Sequence, residues 1–86
     1  MPEISRFFGI VIKMFFEDHN PPHFHAYYGE HEALINICTL TTFAGSVPPR
    51  ALGLVIEWAV PHRTELMENW NLARTHQPLL KIDPLQ

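Results

Sequence analysis

The stretch from His23 to Ile37 most constrains what this chain can fold into. Gly29-Glu30 stands between two alternating runs, His23-Phe24-His25-Ala26-Tyr27-Tyr28 and His31-Glu32-Ala33-Leu34-Ile35-Asn36-Ile37. Glycine first in a two-residue loop favours a type II′ turn, because its backbone reaches positive φ without a steric penalty. Such a turn fixes the register. Tyr28 faces His31, Tyr27 faces Glu32, Ala26 faces Ala33, His25 faces Leu34, Phe24 faces Ile35 and His23 faces Asn36. Side chains alternate between the faces of a strand. Phe24, Ala26, Tyr28, Ala33 and Ile35 therefore share a core face. His23, His25, Tyr27, Glu32, Asn36 and Leu34 share the other. A slip of one residue would mix the two sets.

The rest of the chain supplies partners for this hairpin. Ile4 to Glu17 reads as a further strand, with Phe8, Ile10, Ile12, Met14 and Phe16 on one face and Gly9 marking a bulge or bend. Glu17 to Pro22 is a loop stiffened by Pro21-Pro22, which cannot donate to a sheet ladder. Thr39 to Gly45 fits a short strand or an ordered loop. From Pro48 the period becomes helical. Ser46 is the expected cap, and Pro48 and Pro49 suit the first turn. Leu52, Val55, Ile56, Ala59, Leu66, Trp70 and Ala73 form one apolar stripe. Pro61 interrupts it, which predicts a kink or two helices meeting there. The helix should end near Thr75 to Gln77, ahead of Pro78, leaving a tail anchored by Leu80 and Ile82.

This pattern predicts an α+β fold, residues 1–86 forming one domain. A small antiparallel sheet of three to four strands would carry one long C-terminal helix, kinked or continuous, on its apolar face. Apolar residues make up 47% of the 86 and charged residues only 17%, enough to exclude a disordered chain. A net charge of −3 argues against a general nucleic-acid binder with a basic face. The single cysteine, Cys38, allows no internal disulfide, so a cytoplasmic setting and a packing role are expected. No run reaches the roughly 18 apolar residues of a membrane span. Met1-Pro2-Glu3 does not open a signal peptide. No membrane partner is expected.

His19-Asn20-Pro21-Pro22-His23-Phe24-His25 packs three histidines into seven residues. His23 and His25 project from one face of a strand, so two chemistries suit them. As acid and base near neutral pH they could cleave RNA, with His19 and Tyr27 completing a catalytic group. Arg6, Lys13, Glu32, Asn36, His62 and Arg63 are the accompanying binding candidates, the cations toward phosphate. Alternatively His23 and His25 are metal ligands for a divalent ion such as zinc, with His19 or Glu32 as the third. The motif also reads as a rigid corner needing no cofactor.

Pro2-x-Ile4-Ser5-Arg6-Phe7-Phe8-Gly9-Ile10, the histidine motif, and Glu57-Trp58-Ala59 with His62-Arg63-x-Glu65-Leu66 and Asn69-Trp70 resemble domain-of-unknown-function family 4160. Pro61 departs from that pattern. The resemblance implies a small bacterial protein, often encoded beside a second small protein of family 2442, in a layout like a toxin–antitoxin module. It implies a small cognate partner and supplies no catalytic residues. Three functional expectations follow: an RNA-acting or RNA-binding member of such a module, a non-catalytic interaction module, and a metal-binding protein. A homodimer is compatible with each.

Overall fold

The computed structural model describes residues 3–16 and 18–86. Five strands form one antiparallel sheet in sequence order: β1 (Glu3–Phe7), β2 (Ile10–Lys13), β3 (His23–Tyr28), β4 (His31–Asn36) and β5 (Thr42–Ser46). Two helices follow, α1 (Pro49–Ala59) and α2 (Arg63–Arg74), joined by a 3₁₀ turn over Val60–His62. The α+β class and the helix on one sheet face agree with the sequence reading. The strand count is higher than expected for two local reasons.

First, the long N-terminal run is a hairpin, not one strand. Phe8 and Gly9 both take positive φ, 48° and 81°, and Phe7 pairs with Ile10. Positive φ at both loop positions is the type I′ signature, whose twist matches that of its strands. The reversal leaves Ile10, Ile12 and Met14 buried but turns Phe8 out to 61% exposure. Phe16 is exposed as well, and Glu17 lies outside the described residues. Second, Thr42–Ser46 pairs with β4 as the fifth strand.

The β3–β4 hairpin has the expected register in all six pairs. Gly29 has φ 60°, and Glu30 is not among the positive-φ residues, as a type II′ turn requires. Tyr28 is half-exposed at the turn and does not join the core.

The helices cover the face carrying Ile10, Ile12, Phe24, Ala26, Ala33 and Ile35, all fully buried. Each buried Ile or Phe side chain among them contributes about 1.5–3 kcal/mol of burial free energy. Trp58 of α1 packs against Phe7 and Phe24, with ring centroids 5.4 and 5.9 Å apart. Pro48, not Ser46, takes the N-cap position, with Pro49 opening α1, because β5 runs to Ser46. Pro61 lacks the N–H that the helical ladder needs. The backbone tightens into the 3₁₀ turn, departs from α-helical geometry at His62 (φ −110°, ψ 17°) and resumes as α2.

After α2 the chain turns at His76, φ 59°. Gln77 N–H donates to the Leu72 carbonyl and His76 N–H to that of Ala73, a Schellman closure. The tail crosses back over the core. Ile82 is buried and its N–H donates to the Ile4 carbonyl. Leu80, expected as an anchor, is exposed; its backbone is what holds. Buried Asn69 accepts from Leu80 N–H at 2.9 Å and donates to the Leu80 carbonyl at 2.8 Å. Trp58 Nε1–H donates to the Asp83 carbonyl at 2.8 Å. Cys38 lies exposed in the β4–β5 connection, not in the core.

Candidate metal centre

The hairpin register puts His23 and His25 on the sheet face opposite Phe24, at the strand end nearest the proline loop. Neither ring is solvated. His23 is 3% exposed and His25 9%. Aromatic side chains enclose them. Phe15 meets His25 edge-on at 4.6 Å, Phe43 meets His23 edge-on at 5.3 Å, and Trp70 of α2 lies 5.3 Å from His23.

The loop brings in a group that the sequence reading did not select. Asp18 Oδ2 lies 3.0 Å from His23 Nε2 and 3.0 Å from His25 Nε2. These ligand-type atoms all fall within 4.8 Å of one another. Asp18 is held by the backbone N–H of its neighbour His19, which donates to Oδ1 at 3.0 Å. His19 itself is exposed and enters the site through its backbone.

The far nitrogen of each ring is tied back. His23 Nδ1 lies 2.7 Å from the Pro21 carbonyl, which can only accept, so Nδ1 carries the proton. His25 Nδ1 lies 2.8 Å from Glu32 Oε2. Histidine ligands of metals commonly donate their second N–H to a carbonyl or carboxylate, which fixes the tautomer and aims Nε2. Here both acceptor types are present, one per ring.

His23 Nε2 has no hydrogen-bond partner despite its closeness to Asp18. In the neutral ring with Nδ1 protonated, Nε2 presents a lone pair to a carboxylate oxygen. Two lone pairs 3.0 Å apart repel unless a proton or a cation sits between them. Ligands about 2.1 Å from a shared tetrahedral ion lie about 3.4 Å apart. An outward displacement of Asp18 Oδ2 by a few tenths of an ångström would bring its two distances to that value.

Both carboxyl groups are shifted toward the ionised form. Burial of Asp18 pushes its pKa up, but the His25 hydrogen bond, the nearby His23 ring and the His19 N–H outweigh it and hold the carboxyl below its ordinary range. The His25 and Tyr27 hydrogen bonds lower Glu32 against a smaller opposing effect of burial. Tyr27 is pushed up to about 12, by burial and then by its hydrogen bond to Glu32. The phenol therefore stays a donor to Glu32 at neutral pH.

The remaining sequence candidates are placed around this centre or away from it. Lys13, paired with His25 across β2–β3, sets its Nζ 5.0 Å over the Tyr27 ring. Arg6 is exposed and salt-bridged to Glu3 at 2.8 Å. Asn36 Oδ1 accepts the N–H groups of Cys38 and Thr39, which shapes the β4–β5 turn. His62 pairs with Glu65 and packs on Trp58, and Arg63 is exposed on α2. Neither joins the Asp18–His23–His25 cluster.

Comparison with curated proteins and with solved structures finds no match. A family model does match, over residues 9–71, and this span contains Asp18, His23, His25, Glu32 and Trp70. The chain belongs to that family, described as a domain of unknown function (DUF4160).

Proposed function

We propose that this protein holds one first-row divalent metal ion, with Asp18 Oδ2, His23 Nε2 and His25 Nε2 as its protein ligands. One observation carries the reading: both Nε2 atoms converge on one carboxylate oxygen while both Nδ1 atoms are tied back to acceptors. Two imidazoles and a carboxylate suit zinc or iron(II). Three protein ligands leave at least one coordination position for water or substrate, as in catalytic sites. Such an ion acts as a Lewis acid and lowers the pKa of bound water. Glu32 and Pro21 hold the two rings in place, and Phe15, Phe43 and Trp70 limit access of bulk water.

Titration with cobalt(II), followed by its visible d–d absorption, tests the reading. The expected result is saturation at one ion per chain, loss of the band in His23→Ala and His25→Ala, and weakened binding in Asp18→Asn. A wild-type protein giving the spectrum of aqueous cobalt throughout would overturn it.

A second reading draws support from the same face. Lys13 pairs with His25 across β2–β3, and Arg6, ion-paired with Glu3, lies in the neighbouring cross-strand row with Val11 and Tyr27, so one cation adjoins the histidines and a second lies on the same face. We propose on this basis that RNA is the polymer the site meets, within a two-gene, toxin–antitoxin-like module with a small cognate partner. Growth arrest with loss of total RNA on expression, abolished in a His23→Ala/His25→Ala variant, is the expected result. Unaffected growth and intact RNA would leave metal binding without RNA chemistry.

A further inference from the structure

We infer that the ion's remaining coordination position takes a small oxygen ligand, water or a small mono-anionic oxyanion, which accepts a hydrogen bond from Trp70 Nε1–H. The inference rests on the metal reading above and deepens it by naming the ligand class.

Trp70 is 2% exposed, and its indole N–H has no hydrogen-bond partner. Indole is a donor only, and a buried donor left unpaired is rare enough to require an explanation. The other tryptophan shows the ordinary solution: Trp58 Nε1–H donates to the Asp83 carbonyl. The two neighbouring rings His23 and Trp70, 5.3 Å apart, thus each carry a buried polar nitrogen without a hydrogen bond. A metal ion answers the first. An oxygen on that ion answers the second. An ion lies about 2 Å beyond Nε2 and its oxygen ligand about 2 Å farther. With a hydrogen bond of about 2.9 Å, that chain is long enough to join the two rings.

Charge and size narrow the ligand. Asp18 and Glu32 supply two negative charges against the ion's two positive ones, and Lys13 beside His25 adds one positive charge, so a single negative charge on the ligand would balance the centre. A neutral or singly charged ligand is favoured over a dianionic phosphate. Phe43 against His23 and Phe15 against His25 crowd the centre, which favours a small group.

Indole N–H signals in a ¹⁵N-labelled sample give the test, since the chain holds only two tryptophans. Zinc is added first and acetate second, with histidine ring signals followed in parallel. The expected result is that zinc moves the histidine and Trp70 signals, and acetate moves Trp70 again, while Trp58 stays in place. Trp70→Phe, which keeps an aromatic ring but removes the donor, should bind zinc normally and acetate about fivefold more weakly. If that variant does not fold, the wild-type signals decide. Histidine signals that respond to zinc beside a Trp70 signal indifferent to both zinc and acetate would overturn the inference alone, while a Trp70 signal that moves with zinc only would assign the ligand as water. Histidine signals indifferent to zinc would overturn the metal reading and this one with it.

Discussion

At the scale of single residues the centre depends on who holds whom. Glu32 does not reach Asp18's side of the His25 ring. It accepts from Nδ1, and Tyr27 donates to Glu32 in turn. Losing such a partner typically weakens metal affinity 10- to 100-fold. Glu32→Gln keeps an oxygen acceptor but removes the charge, so a competitive zinc titration should show a loss of about tenfold, with Tyr27→Phe a smaller one. The same carboxylates make the metal-free protein acid-sensitive. Asp18 and Glu32 have folded pKa values below their ordinary 3.8 and 4.5. Their contribution is complete above those ordinary values and is lost as pH falls through the lowered, folded ones. Chelator-treated protein should therefore show a falling Tm below about pH 5. An Asp18→Asn/Glu32→Gln variant should show a flatter profile over the same range.

At the scale of elements, one positive-φ strand position and one turn shape the sheet that carries these residues. Gly45, φ 67°, lies in β5 beside Ala33 of β4, and a Cβ there would sit 2.2 Å from the Glu32 carbonyl oxygen. Gly45→Ala thus combines left-handed strain with a backbone clash and should cost about 2 kcal/mol or more in denaturant unfolding. Zinc affinity should fall with it, since β4 carries Glu32. Phe8 is the opposite case. It occupies a type I′ position that favours asparagine, with its ring mostly in solvent. Phe8→Asn should stabilise by up to about 1 kcal/mol.

These turns also explain what was legible in the sequence. The β3–β4 register could be read in full because a glycine-first turn and strict alternation agree. The β1–β2 hairpin could not, because Phe8 offers no turn chemistry and its alternation with Ile10, Ile12, Met14 and Phe16 begins inside the turn itself. His23 and His25 could be paired by the period of a strand. Asp18 could not be joined to them, since its position follows from how the loop returns over β3, and no periodicity describes a loop. The burial of both histidines depends on Phe15, Phe43 and Trp70, which come from three separate parts of the chain.

At the scale of the molecule, the tail and α2 close the core together. Asn69, Trp58 and the Ile4 carbonyl bind tail backbone, and Ile82 fills the space below. The family match stops at residue 71, so the tail lies outside the matched span. Asn69→Ala leaves two backbone groups of Leu80 without their partner, and should cost about 1–3 kcal/mol. Hydrogen exchange at the Leu80 amide should accelerate in that variant. No helix among the described residues is long and apolar enough to cross a membrane. The helices instead serve the sheet, and through Trp70 they reach the histidines on its far side.

Native mass spectrometry of protein made without a histidine tag and dialysed against zinc tests the central claim most directly. The account predicts one zinc per chain in the wild type and none in an Asp18→Asn/His23→Ala/His25→Ala variant that remains folded. A wild type that carries no zinc, or a variant that retains it, would contradict the assignment of the metal to Asp18, His23 and His25.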